Sequence, residues 1–465
     1  MKEFNNILLF SRRFHFTNRL NFAKVIFPGK NIDLWSDERW VDFGKNATWW
    51  GTYFYEALKE IKKSTHVNIL SALEVHDIIV RCRFLRELPF EKANELAQAA
   101  FLAWSRIIEH KKYDFVFHQP IDSFVLDTLD RAAKMQKIPA MHTVGTMLSG
   151  RLRFTSRGEL SGNIVLPEDA EEYEKIESSI INVKYRPDWL IGTDKTPLRT
   201  ILSRTFIDMP KAPAFAMYRM LASDPDSFSF APFKYYKARM HGTPARFFAS
   251  KGMEKRSFVH PPEEFAFFPL QFYPESSTDY WVPEAAVIDH HKNVLAIARA
   301  LGKNMPILIK EHPAALGKRS EKFIQELLKI PNVMIAPTLY PAGELVMKSK
   351  LVIGHGSSTM FQAMVMRRPV LFLGSPFYGS GKRKVLTKID DENHIRDIAT
   401  EAINLGDTSK EEAYDLIKTI FSTTAPGRAG YYSPIGEKSS ARLSNIEFSD
   451  RLRLLFEDAI SNLVL

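Results

Sequence analysis

The chain has 465 residues, of which 45% are hydrophobic and 25% charged. That is ordinary globular composition with room for two or three domains at about 100–200 residues each. One cysteine, Cys82, excludes a disulfide scaffold and a Cys-rich zinc site and fits a reducing compartment. The net charge of +9 admits nucleic acid, an anionic membrane surface or an anionic substrate as partner, without choosing among them.

No apolar run reaches the roughly 18–20 residues a membrane span needs. The apolar run at Ile7-Leu8-Leu9-Phe10 is too short for a signal peptide. The expected location is therefore the cytoplasm, with the protein soluble or peripheral at the inner face of the membrane. Along the chain, 24–27 and 31–35 read as strands around Pro28-Gly29. Segment 48–63 reads as a helix, 67–70 as a short strand and 91–110 as a helix with apolar residues at helical spacing. Segments 113–117 and 138–142 read as strands, with a helix over 123–135 between them. This alternation indicates a parallel sheet with helices on its faces.

The rhythm breaks at 166–262, where an acidic helix at 168–177 is followed by prolines with aromatic and basic residues between them. It resumes at 263–425. Strands are expected at 265–270, 305–310, 333–336, 351–354 and 369–374, with helices at 283–301, 320–329, 342–348 and 359–366. A last helix is expected at 449–462. The fold class is thus α/β: two Rossmann-like domains, 1–165 and 263–425, joined by a basic, largely helical region at 166–262 and followed by a helical tail at 426–465.

In such sheets ligands bind beyond the carboxyl ends of the strands, so the candidate residues are those at strand-to-helix turns. Lys310-Glu311-His312-Pro313 follows one strand; His312 can donate to a phosphate oxygen or exchange a proton. Gly356-Ser357-Ser358-Thr359 stands between a strand and a helix, where small residues, hydroxyls and free N–H groups suit an anion. A simple Ser/Thr cap is the plainer alternative. Gln271 and Glu275-Ser276 follow the first strand of the second domain, and Glu275 is a candidate base, nucleophile or ligand for hydroxyls. In the first domain Asp122 follows a strand at a helix start, where it is either an acid of the site or an N-cap. His142, Arg151 and Arg153 follow the next strand, and paired arginines suit a carboxylate or phosphate. Asp390-Asp391-Glu392 reads as a solvated helix cap. No phosphate loop with a following Lys-Ser/Thr, no HExxH and no GxSxG is present, which disfavours P-loop ATPases, zinc proteases and serine hydrolases.

The order and spacing of Phe268-Pro269-Leu270-Gln271, Glu275-Ser276-Ser277-Thr278, Lys310-Glu311-His312-Pro313, Gly356-Ser357-Ser358-Thr359, Pro369-Val370-Leu371-Phe372-Leu373-Gly374 and Phe377-Tyr378 resemble the bacterial capsule polysaccharide synthesis family. That family includes transferases of the acidic sugar Kdo. The match is strongest over about 265–380 and weaker over about 113–158. The resemblance implies a GT-B type glycosyltransferase with no metal and no cofactor beyond a nucleotide-sugar donor, with CMP-linked Kdo or another acidic sugar leading. It also implies a glycan or lipid-linked glycan as acceptor. On that pattern His312, Lys310, Gly356, Ser357, Ser358 and Thr359 meet the nucleotide phosphate. Asp122 or Glu275 serves the acceptor, and Gln271, Ser276, His142, Arg151 and Arg153 line the substrate. A CDP-polyol phosphotransferase and a non-catalytic polysaccharide-binding protein are the alternatives. The residues at 199–256 include eleven basic and four acidic side chains, interleaved with aromatics. They favour an anionic membrane or an anionic glycan as the contact over nucleic acid, for which no binding module is present.

Overall fold

The computed structural model describes residues 4–12, 16–39, 47–63, 69–160, 170–185, 187, 211–229, 252–253, 257–258, 260–273, 275–315, 319–426 and 450–461. The first domain carries strands β1 (Asn6–Phe10), β2 (Asn31–Ser36), β3 (Ala47–Trp49), β4 (Phe115–Phe117), β5 (Ala140–Gly145) and β6 (Arg151–Thr155). The second carries β7 (Ala266–Pro269), β8 (Ile307–Lys310), β9 (Val333–Ala336), β10 (Leu351–Gly354), β11 (Val370–Leu373) and β12 (Lys384–Leu386). A short β13 (Ala425–Pro426) returns to the first sheet, whose order is β13-β6-β5-β4-β1-β2-β3. The second sheet runs β12-β11-β10-β7-β8-β9, with every neighbouring pair parallel. In both, the strand order reverses beside the first strand, the doubly wound pattern. The architecture is the α/β, two-Rossmann-like, GT-B type arrangement expected from the sequence.

The central strands are apolar without alternation because helices cover both faces. Ile7, Leu8, Leu9 and Phe10 are all fully buried, as are Ile307, Leu308 and Ile309. The helix Phe90–Lys111 buries Ala93, Leu96, Ala97, Ala100, Phe101, Trp104, Ile107 and Ile108, a stripe at helical spacing. It stops where Lys112 takes a left-handed conformation, φ 53°.

Several local expectations change: Ile69 and Leu70, the described part of the strand expected at 67–70, are not in a strand, and the helix expected at 283–301 begins at His290. Residues 24–26 are helical, not extended, closing the helix Phe16–Ile26. Phe22 in that helix and Phe27 just past its end set their rings on Phe117 and Phe115, with centroids 6.0 and 5.0 Å apart. The last strand of the first domain, β6, is antiparallel to β5, since the turn between them is too short for a crossover. The second sheet gains a sixth strand, β12.

The connecting region is divided between the domains. Its acidic helix, Ala170–Ile180, packs on the second domain, with Tyr173 edge-on to Tyr414 and Phe421. The helix Lys211–Leu221 belongs to the first: the Tyr218 hydroxyl accepts from the Arg39 N–H at 2.8 Å, and Phe228 enters that domain's core. Of the eleven basic residues at 199–256, Lys211 and Arg219 are described; the others lie outside the described residues. Among the described residues no helix is long and apolar enough to cross a membrane.

After the helix Lys410–Ser422 on the second domain the chain crosses back. The final helix, Asp450–Ser461, seals the first core with Leu452, Leu455, Phe456 and Ala459. The Phe456 ring meets Phe27, Phe115 and Phe154 at 5.3, 5.6 and 5.2 Å. Phe456→Ala is expected to cost about 3 kcal/mol of stability, the usual range for emptying a buried aromatic site. A denaturant titration of the two proteins measures it; an unchanged midpoint would mean that the final helix does not hold the first domain.

Candidate functional site

The reversal of strand order in the second sheet lies between β7 and β10. That places the turns after β7, β8 and β10 side by side, at the crevice where doubly wound sheets take their ligands. With strands about 4.8 Å apart, the ends of β8 and β10 stand about 10 Å apart with the end of β7 between them.

Beyond β10, Ser357 is the N-cap of the helix Ser358–Val365, its Oγ accepting from the Met360 N–H at 3.3 Å. Ser358 and Thr359 form the first turn, and both are partly exposed. Gly356 is required for packing, because a Cβ there would stand 2.9 Å from Cβ of Pro376. The cap and the anion-site reading are compatible: the cap uses one N–H, and the helix start retains its positive field.

Beyond β8, Lys310 is buried, and its Nζ donates to the Thr338 carbonyl at 2.8 Å. Glu311 is buried and paired with Arg319, whose Nε and Nη2 donate to its two carboxylate oxygens at 3.0 and 2.8 Å. The same carboxylate accepts the His312 N–H at 2.6 Å, and Arg319 also donates to the Gln271 carbonyl. His312 is partly exposed, with its ring 5.5 Å from that of Phe272. Thus Gln271 and His312 are carried on turns tied together by one ion pair. Sequence reasoning quoted Glu311 only as part of the motif, assigned it no role, and did not name Arg319. The available signal was a glutamate at a strand end with an arginine eight residues on.

Beyond β7, Glu275 precedes the single helical turn Ser276–Asp279 and is half-buried. Its carboxylate accepts from the Ser277 hydroxyl at 3.0 Å. Ser276 opens the turn and is partly exposed.

In the first domain the strand order reverses between β1 and β4, and here Arg12 organises the turn. It is buried and donates to Asp37 at 2.9 and 3.0 Å, to both oxygens of Asp122 at 2.9 and 2.7 Å, and to the Ser123 hydroxyl at 3.0 Å. Ser123, not Asp122, is the N-cap of the helix Phe124–Met135. Asp122 is thus a carboxylate at the crevice, held in place by a guanidinium.

The other first-domain candidates sit apart from this crevice. Arg151 donates to the Thr424 hydroxyl at 2.7 Å and carbonyl at 2.9 Å and covers the Phe421 ring, fastening the returning chain. Arg153 is buried, donates to the Gly158 carbonyl at 2.6 Å and lies 4.1 Å over the Phe377 ring. The two guanidiniums are engaged separately and do not form one paired anion clamp. His142 is fully buried in β5, with its ring 5.1 Å from that of His118.

A second histidine pair lies under the crevice. His290 and His355 are buried, with ring centroids 5.5 Å apart. The Gln271 N–H donates to Nε2 of His290 at 3.2 Å, which puts that ring's proton on Nδ1. Nδ1 of His355 lies 2.9 Å from the Leu373 carbonyl and donates to it. Burial disfavours the imidazolium, holding His355 down at about 4 and His290 well below its ordinary range.

Residues 224–384 match the family model described as capsule polysaccharide biosynthesis protein. This segment is similar to the capsule polysaccharide synthesis family. It contains all three turns of the second-domain crevice, and the resemblance read from the sequence is borne out there. No curated protein matches the sequence. Among solved structures, the β-Kdo 2,7-transferase KpsC of Thermosulfurimonas dismutans aligns at 11% identity over 90% of this chain and 100% of that one, with a TM-score of 0.32. The UDP-GlcNAc 2-epimerase of Neisseria meningitidis bound to UDP-GlcNAc aligns at 13% identity over 90% of this chain and 99% of that one, with a TM-score of 0.28.

The buried histidines make stability depend on pH. An unfolded imidazole binds a proton below about 6.5, whereas His355 in the folded protein resists protonation down to about 4. The unfolded state therefore binds more protons in that window, and stability is lost as pH falls from about 6.5 towards 4, at up to about 1.4 kcal/mol per pH unit for this residue. His355→Gln is expected to shallow the slope in denaturant titrations between pH 7 and pH 5. An identical slope in both proteins would assign the loss to other groups.

Proposed function

We propose that the protein is a glycosyltransferase of bacterial surface polysaccharide assembly whose donor is a CMP-activated acidic sugar of the Kdo class. The observation that carries this reading is the placement of His312 and the Ser357-capped helix start on either side of Gln271, within the segment that matches the capsule family. Transfer breaks the bond between the anomeric carbon and the phosphate oxygen and leaves negative charge on the departing CMP. The N–H groups and hydroxyls of Ser357, Ser358 and Thr359 and the imidazole of His312 are suited to stabilising that charge. In this reading the protein itself supplies that stabilisation, without a metal. The acceptor, a glycan or lipid-linked glycan, enters between the domains. Its hydroxyl bonds to the anomeric carbon and gives its proton to a carboxylate, for which Glu275 and Asp122 are the two candidates facing the crevices. The basic segment at 199–256 is the proposed contact with an anionic glycan or membrane.

The test has two arms. Thermal shifts with CMP, CDP, UDP and GDP identify the nucleotide, since a ligand at 100 times its Kd adds about 2.7 kcal/mol to the folded state. A shift with CMP alone is expected. Turnover of CMP-Kdo is then expected to fall about 100-fold or more in His312→Ala, the scale for losing a donor to a developing anion. Turnover of a CDP-polyol instead would move the assignment to a phosphotransferase. Undiminished turnover in His312→Ala would remove His312 from the site.

A further inference from the structure

The loop that carries Glu275 starts in one domain and is fastened in the other. It leaves β7 of the second sheet, but the residues immediately after Glu275 dock on the first domain. Asp279, fully buried, faces Arg83 and Arg86 of the first domain, at 3.8 and 3.4 Å. Arg81 donates to the carbonyls of Asp279, Val282 and Pro283 at 3.1, 2.8 and 2.7 Å. Tyr280 is buried in the first domain's own core. Trp281 closes on Gly158, where φ is +106° and a Cβ would stand 2.1 Å from the indole, so no other residue fits there. On the other side of Glu275, the Tyr273 ring lies under the Arg86 guanidinium at 5.3 Å. Arg86 therefore touches the loop on both flanks of Glu275.

We propose that Arg86, acting with Arg81 and Asp279, is a positioning residue through which the first domain sets the place of Glu275 in the cleft. The proposal rests on the reading of Glu275 as the acid that serves the acceptor. The arms of the loop are unequal in consequence. Gln271 is held by Arg319 of its own domain, so the nucleotide half of the site stays formed when the domains part. Glu275 is held from the opposite domain, so the acceptor half is complete only when they are together.

The test compares Arg86→Gln, Asp279→Asn and the double variant with wild type, with Lys303→Gln, an exposed residue paired with Glu392, as control. In Arg86→Gln, kcat for sugar transfer is expected to fall about 10- to 100-fold, the scale of an ångström-level misplacement. The donor KM and the CMP thermal shift should stay at wild-type values, and Arg86→Lys should recover part of kcat. The double variant should lose less than the product of the single losses, because the two residues share one contact. Hydrogen exchange over 271–283 reads the clamp without any reaction. Faster exchange there in Arg86→Gln, with 310–315 unchanged, supports the proposal. Unchanged exchange over 271–283 overturns it, as does an equal loss of CMP binding and kcat. If the wild-type protein turns over no sugar donor, the glycosyltransferase reading fails and the exchange experiment alone decides the clamp. If Asp279→Asn does not fold, the milder Arg86→Gln still decides the question.

Discussion

The crevice of the second domain depends on the ion pair between Glu311 and Arg319. Taking both charges out of water costs several kcal/mol per ion, which only close geometry with every remaining donor and acceptor used can offset. Here the guanidinium meets both carboxylate oxygens, the carboxylate also takes the His312 N–H, and Arg319 reaches the Gln271 carbonyl. Ser320, the next residue, caps the helix Glu321–Leu328. The ends of β7 and β8 and a helix start are thereby one unit. An imidazole carried on such a unit is placed by the fold rather than by its own rotamer preference, the condition for a preorganised site.

The same economy recurs at each turn. Arg12 binds Asp37 and Asp122, Arg81 binds backbone carbonyls, and Arg151 and Arg153 bind the carbonyls of chain returns. Arg12, Arg81 and Arg151 join segments far apart in sequence, and a planar fork with five donors is suited to that. The arginines of the described core are thus mainly structural, and they explain why the chain can leave one domain and re-enter the other without slack.

Much of the fold was legible in the sequence because buried parallel strands announce themselves as short apolar runs, as at 307–309 and 370–373. The strands that were misread lack that signal. Residues 24–26 are apolar enough for a strand, yet they serve a helix whose face is chosen by Phe115 and Phe117, residues some ninety positions away. The turns after β7, β8 and β10 were legible as motifs, since each joins a short apolar strand to a run of small, hydroxyl or histidine residues. What holds those turns was not. The partners Arg12 and Asp122, or Arg86 and Asp279, are more than a hundred positions apart, and nothing in a one-dimensional reading distinguishes a clamp arginine from a solvated one. The pairing assumed for Arg151 and Arg153 failed to appear for this reason. Residues two apart on a strand share a face, but these two guanidiniums are drawn to different partners, Arg151 to Thr424 and Phe421 and Arg153 to Gly158 and Phe377.

This distribution of charge bears on how an anion is held. With the arginines committed to carboxylates and carbonyls, the positive field at the crevice comes from the start of the helix Ser358–Val365, from His312 and from the buried Lys310 below it. On the proposed reading, the groups that would meet a phosphate here are the helix start, the hydroxyls of Ser357, Ser358 and Thr359, and the His312 imidazole. The net positive charge of the chain is concentrated elsewhere, at 199–256, in the segment linking the two domains. A short-range site of dipoles and a broader basic segment act over different distances. On the proposed reading the first would discriminate the bonded geometry of a phosphate, while the second would attract an anionic glycan or membrane and weaken with salt over the Debye length of about 8 Å.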